Sequence, residues 1–85
     1  MMGYDYLMKQ QSKAALALFE SNVKLHPESA NVYDSYAEAL ASSGDMKAAQ
    51  TYYEKAVAKA KEINDPQLEL YQENLENINR NLSKE

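Results

Sequence analysis

Apolar residues recur along this chain at intervals of three and four, the spacing that places them on one face of a helix. Four such stripes can be followed: Ala15, Leu18, Phe19, Asn22 and Val23; Val32, Tyr33, Tyr36, Ala37 and Leu40; Ala49, Tyr53, Ala56, Val57 and Ala60; and Leu68, Tyr71, Leu75, Ile78 and Leu82. The last has a solvated opposite face of Glu69, Glu73, Glu76 and Arg80. Stop signals lie between the stripes. His26-Pro27 closes one helix, because the residue before proline resists helical geometry. Gly44 suits the left-handed residue that ends another, and Asp45 can cap its successor. Asn64-Asp65-Pro66 stops a third and starts a fourth, with Asp65 as cap and Pro66 at the first helical position. The pattern predicts five helices, at 1–9, 12–25, 29–42, 45–63 and 66–83, and an all-α fold.

The stripes repeat. Residues 13–23 match residues 47–57 with five of eleven pairs identical, all at an offset of 34. Ala15 pairs with Ala49 and Phe19 with Tyr53, and the register continues backwards to pair Tyr6 with Leu40, Gly3 with Ala37 and Met2 with Tyr36. A fixed period of this length marks stacked supersecondary units that bury their apolar faces against one another. The chain therefore reads as one domain over 1–85: a partial first repeat at 1–28, a second at 29–65 and a capping helix at 66–85. Pro66 arrives five residues later than the period from Pro27 predicts, so the last helix is shifted relative to a regular stack.

Tyr33, Tyr36, Ala37, Leu40, Gly44, Ala49, Tyr53 and Ala56 fall on the signature positions of a tetratricopeptide repeat (TPR), and residues 30–57 resemble one. Residues 2–27 are similar to the later part of a preceding repeat, through Met2, Gly3, Tyr6, Ala15, Phe19 and Pro27. The resemblance implies an α-α superhelix of about two helix-turn-helix units plus a C-terminal capping helix. Two departures stand out. The first repeat lacks its opening turns, and Gln10 stands where the turn glycine belongs. A weaker resemblance, carried by Gly3-Tyr4-x-Tyr6-Leu7 and by the run from Phe19 through Pro27 to Ala39, is to short repeat tails of bacterial serine hydrolases. It implies a non-catalytic accessory region that packs on, or oligomerises, an exported esterase-like or β-lactamase-like enzyme.

Composition narrows the function classes. The net charge of −4 argues against nucleic acid, whose phosphates need a clustered basic surface. The longest apolar run, Ala14 to Phe19, is far too short to span a bilayer. No basic segment followed by an apolar stretch and a cleavage site opens the chain, so no export signal is read; the compartment stays open. Without cysteine there is neither a disulfide nor a thiolate metal site.

Catalysis is not expected. The single histidine, His26, is wedged before Pro27 and reads as a surface or capping residue rather than a general base. Glu69, Glu73 and Glu76 share a face with no histidine, which reads as a solvated acidic surface rather than a metal site. No glycine-rich phosphate loop is present. No catalytic residue, cofactor or metal is therefore assigned. Tyr33, Tyr36 and Tyr53 read as core packing, with Tyr4, Tyr52 and Tyr71 left open.

Protein–protein interaction remains as the expected role. The resemblance implies a concave groove lined by first helices: Tyr4, Leu7 and Met8, then Asn31, Asp34, Ser35, Glu38 and Ser42, then Glu69, Glu73 and Glu76. Aromatic and methionine side chains would give adaptable apolar contact and the carboxylates ion pairs, favouring a basic or mixed basic-apolar protein segment. Relatives that clamp an acidic chaperone C-terminus use Lys and Asn where this chain has Asp34 and Glu38, and two carboxylates would repel that ligand. Met1, Met2, Leu7 and Met8 would also leave an uncovered N-terminal edge, to be covered by an upstream domain or a second copy.

Overall fold

A computed structural model describes the backbone of residues 2–83 and the side chains of residues 13–83. It is all-α. Four helices run in order: α1 (Met2–Leu25), α2 (Ala30–Ser42), α3 (Met46–Ile63) and α4 (Leu68–Ser83), with no strand among the described residues. Each packs on its neighbour in sequence. The result is a thin stack of 45 × 33 × 17 Å.

Where the sequence predicts two helices at 1–9 and 12–25, the structure has one, α1. The repeat places Gln10-Gln11 opposite Gly44-Asp45, yet the two dipeptides act oppositely. Gly44 takes φ +95°, and Asp45 N–H and Gly44 N–H donate to the carbonyls of Leu40 and Ala41 to close the α2 end. Glutamine is a good helix former, and a left-handed non-glycine residue costs roughly 1–2 kcal/mol. With no breaker between Lys9 and Lys13, the helix continues.

The other boundaries follow local chemistry. Asp45 caps α3 through its Oδ1, which accepts from Ala48 N–H at 3.2 Å. Asn64, at φ 55°, ends α3 with Asp65 N–H donating back to Ala60 O. The α4 helix begins at Leu68, two residues later than predicted. Asp65 Oδ1 accepts from Gln67 N–H at 2.9 Å, and Leu68 N–H donates to Asp65 O in a tighter three-residue turn before regular helix sets in.

All five α3 stripe residues are buried. They divide between two clusters. One gathers Ala30, Ala56, Val57, Ala60 and Tyr71, with Tyr33, Leu68 and Leu75 against it. The other gathers Ala37, Leu40, Ala49, Tyr53 and Ile78, with Leu16, Tyr36, Met46 and Tyr52 against it. Ala37, Ala49, Ala56 and Ala60 have no solvent exposure, so the α2–α3 and α3–α4 crossings bring backbones close over small side chains. Tyr71 is the largest fully buried side chain. Leu18, predicted to share the α1 face, is instead 60% exposed, and Leu16 makes the contact with the core.

Candidate interaction cleft

Among the described residues, the expected groove positions do not form one surface. Tyr4, Leu7 and Met8 lie outside the residues whose side chains are described. Asn31 is exposed on α2. Glu69, Glu73 and Glu76 are exposed on α4, where Glu76 lies 3.7 Å from Arg80 of its own helix. The residues facing the core from α4 are Tyr71, Asn74, Leu75 and Ile78, which is the opposite side of the helix.

Asp34 departs furthest from expectation. It sits with Ala30 and Ala37 on the buried face of α2, 9% exposed. Its Oδ1 accepts a hydrogen bond from Asn74 Nδ2 on α4 at 3.0 Å. Burial raises its carboxyl above the ordinary 3.8; the Asn74 bond works against that rise and the nearby Glu38 charge adds to it. The Tyr53 hydroxyl is pushed up to about 12, by burial first and then by the negative charges of Asp34 and Glu38. Asp34 is therefore a strut between α2 and α4.

Ser35, Glu38 and Ser42 do come together. With Ala39 they form the α2 wall of an open cleft of about 290 Å³, whose α1 wall is Ala15 and Phe19. The arrangement follows from helical spacing: positions 15 and 19 fall one turn apart on α1, and 35, 38, 39 and 42 share one side of α2. Ala15, Phe19 and Ala39 are half-buried and give an apolar floor, while Glu38 and Ser42 are exposed at the rim. Ala15, Phe19 and Ala39 were absent from the expected groove. Their signal was in the repeat itself, since Ala15 and Phe19 are the first unit's counterparts of the buried Ala49 and Tyr53.

The tyrosines follow the core. Tyr53 and Tyr71 are buried; Tyr33, Tyr36 and Tyr52 are half-buried. Tyr52 stands 6.4 Å from the Tyr33 ring and 4.6 Å, edge-on, from the Tyr36 ring, with Lys55 Nζ 4.7 Å above it. Tyr33 Oη donates to Pro27 O at 2.7 Å, pinning the α1–α2 connection. A second, shallower depression of about 250 Å³ is lined by Tyr33, Lys55, Ala58, Lys59 and Glu62. Within it Lys59 pairs with Glu62 at 3.3 Å, while Lys55 lies over the Tyr52 ring. His26 is exposed, its Nδ1 3.8 Å from Glu28 Oε1.

In comparisons with protein-family models, with curated proteins and with solved structures, the chain matches none.

Proposed function

We propose that this chain is a protein-interaction module of tetratricopeptide type whose α1–α2 cleft seats a helical segment of a partner protein. In this reading α2 and α3 form one helix-turn-helix unit of an α-α superhelix, α4 caps it, and α1 presents the second half of an earlier unit. One observation carries the proposal. Ala15, Phe19 and Ala39 floor an open cleft between two helices, whereas the repeat counterparts of the first two, Ala49 and Tyr53, lie covered in the core. A cleft between helices with an apolar floor and a polar rim suits the apolar stripe of a third helix. Glu38 at the rim favours a segment carrying Lys or Arg beside that stripe.

Selection from a displayed library of amphipathic helical peptides tests this. Enriched peptides should bind the chain and lose at least tenfold in affinity to Ala39→Arg, which fills the cleft, while that variant keeps its melting temperature. Enriched basic peptides should also weaken on Glu38→Lys. Binders indifferent to Ala39→Arg, or a monomeric chain that selects no binder, refute the proposal.

A further inference from the structure

We infer that the α1–α2 cleft is occupied by residues 2–9 of a second copy of this chain, the two copies exchanging these segments reciprocally. The inference rests on the cleft being a helix seat, as proposed above, and names what fills it.

The internal repeat identifies the occupant. In the second unit Ala37 and Leu40 of α2 cover Ala49 and Tyr53 of α3, and all four are buried in one cluster. At the offset of 34 their counterparts are Gly3 and Tyr6, and Ala15 and Phe19. The first unit thus carries its own complement: a small residue for Ala15 and a large one for Phe19. Because α1 is a single helix, that complement is carried away from its own seat. Gly3 and Ala15 are twelve residues apart, about 18 Å along the axis, and Tyr6 and Phe19 about 20 Å. Neither pair can meet within one straight helix. The same pairs meet when two chains lie with their α1 helices side by side, each supplying residues 2–9 to the other.

Length agrees. From Ser35 to Ser42 the α2 wall runs about 10 Å, and residues 2–9 of a helix span about the same. The arrangement is two-fold symmetric and self-limiting, since each copy both gives and receives one segment. The device that enforces exchange is the missing turn at Gln10-Gln11, where the second unit has Gly44-Asp45.

The chain has no cysteine, so engineered pairs report contacts cleanly. Gly3→Cys and Ala15→Cys chains, mixed in denaturant, refolded together and oxidised, should form an interchain disulfide that neither forms alone. The pair Tyr6→Cys and Phe19→Cys repeats the test should either first variant fold poorly. Sedimentation equilibrium should give twice the 9.6 kDa chain mass. The variant Gln10→Gly/Gln11→Asp, which transplants the turn of the second unit, should become monomeric and form the Gly3→Cys/Ala15→Cys disulfide within one chain. A monomeric parent chain, or mixed chains that fail to cross-link for both pairs, overturns the inference. The outcomes separate from those of the function proposal. A monomer that still binds selected helical peptides in an Ala39→Arg-sensitive manner refutes exchange and leaves the helix seat. Dimerisation and peptide binding that both ignore Ala39→Arg remove the seat itself.

Discussion

Tyr71 should be the residue on which the docking of α4 depends. It is 1% exposed and lies against Ala30 of α2 and Ala56, Val57 and Ala60 of α3, so its ring ties α4 to both earlier helices. Three of the four buried residues clustered with it are alanines, which have no side-chain freedom with which to close a cavity. Replacing the ring with a methyl group should cost about 3–5 kcal/mol in lost transfer energy and cavity formation. A chain of this length has roughly 4–13 kcal/mol of total stability, so the change removes about a quarter of it or more. The unfolding entropy for 85 residues is about 180 cal/mol/K, and a loss of about 4 kcal/mol lowers the melting temperature by roughly 20 °C. Tyr71→Phe separates the ring from its hydroxyl. The hydroxyl donates to Gln67 Oε1 at 2.9 Å on a solvent-exposed partner, so its removal should cost no more than about 1 kcal/mol, or about 5 °C. Thermal and urea unfolding followed by far-ultraviolet circular dichroism measure both variants. If Tyr71→Ala undocks α4 altogether, the urea slope should also fall, because less surface remains to be exposed. A loss below about 1 kcal/mol for Tyr71→Ala, or equal losses for both variants, would refute the account of how α4 is held.

Asp34→Asn should raise the melting temperature at neutral pH. A carboxyl whose folded pKa lies above its unfolded value binds its proton more tightly when folded, so stability falls as pH rises from the ordinary 3.8 through the folded value. The amide keeps an acceptor for Asn74 and removes that dependence, so the gain over the parent should be larger at pH 7 than at pH 4; a larger gain at pH 4 would contradict the sign. Ala49→Leu forces three carbons into a site with no exposure, facing Ala37 and Leu40, and should cost about 1–3 kcal/mol, or roughly 5–15 °C. An unchanged melting temperature for that variant would mean that the α2–α3 crossing is not where the core places it.

The sequence was most readable where a helix is packed on two sides. The α3 helix lies between α2 and α4, and all five of its stripe residues are buried. Among the described residues α1 packs chiefly against α2, and there the same periodicity misassigned Leu18. The break expected near Gln10 came from the repeat, which reports ancestry of pattern rather than local preference. Gln10, Gln11 and Ser12 all tolerate helix, and nothing between Lys9 and Lys13 offers an αL residue at low cost. Asp34 failed for a different reason. Position 34 lies on the Ala30–Ala37 face, but a carboxylate reads as solvent-facing unless a partner is known, and Asn74 is forty residues away. Any lysine placed at position 34 would consequently probe the fold, and Glu38→Lys is the substitution that probes the cleft.

The acidic face of α4 was expected to join a continuous groove, and the packing of the opposite face on the core turns it outward. Tyr71, Asn74, Leu75 and Ile78 are spaced three, one and three residues apart and face inward. That rotation fixes Glu69, Glu73, Glu76 and Arg80 on the outer side, away from Ser35, Glu38 and Ser42. The Gln50–Asn79 hydrogen bond at 2.6 Å and the Asp34–Asn74 bond hold α4 in that setting from α3 and α2 respectively. Carboxylates on such a face keep the surface solvated without converging on any one point. At the other end of the stack, the pattern of small residue against small and large against large that closes the second unit stops halfway, at Ala15 and Phe19. An unfinished packing pattern specifies its ligand in a way that a charged face does not. It fixes the size of the side chains that must arrive, their spacing, and the helical form that presents them. In the exchange inferred above, residues 2–9 of a second copy would bring Gly3 to Ala15 and Tyr6 to Phe19, the pairing that the offset of 34 prescribes.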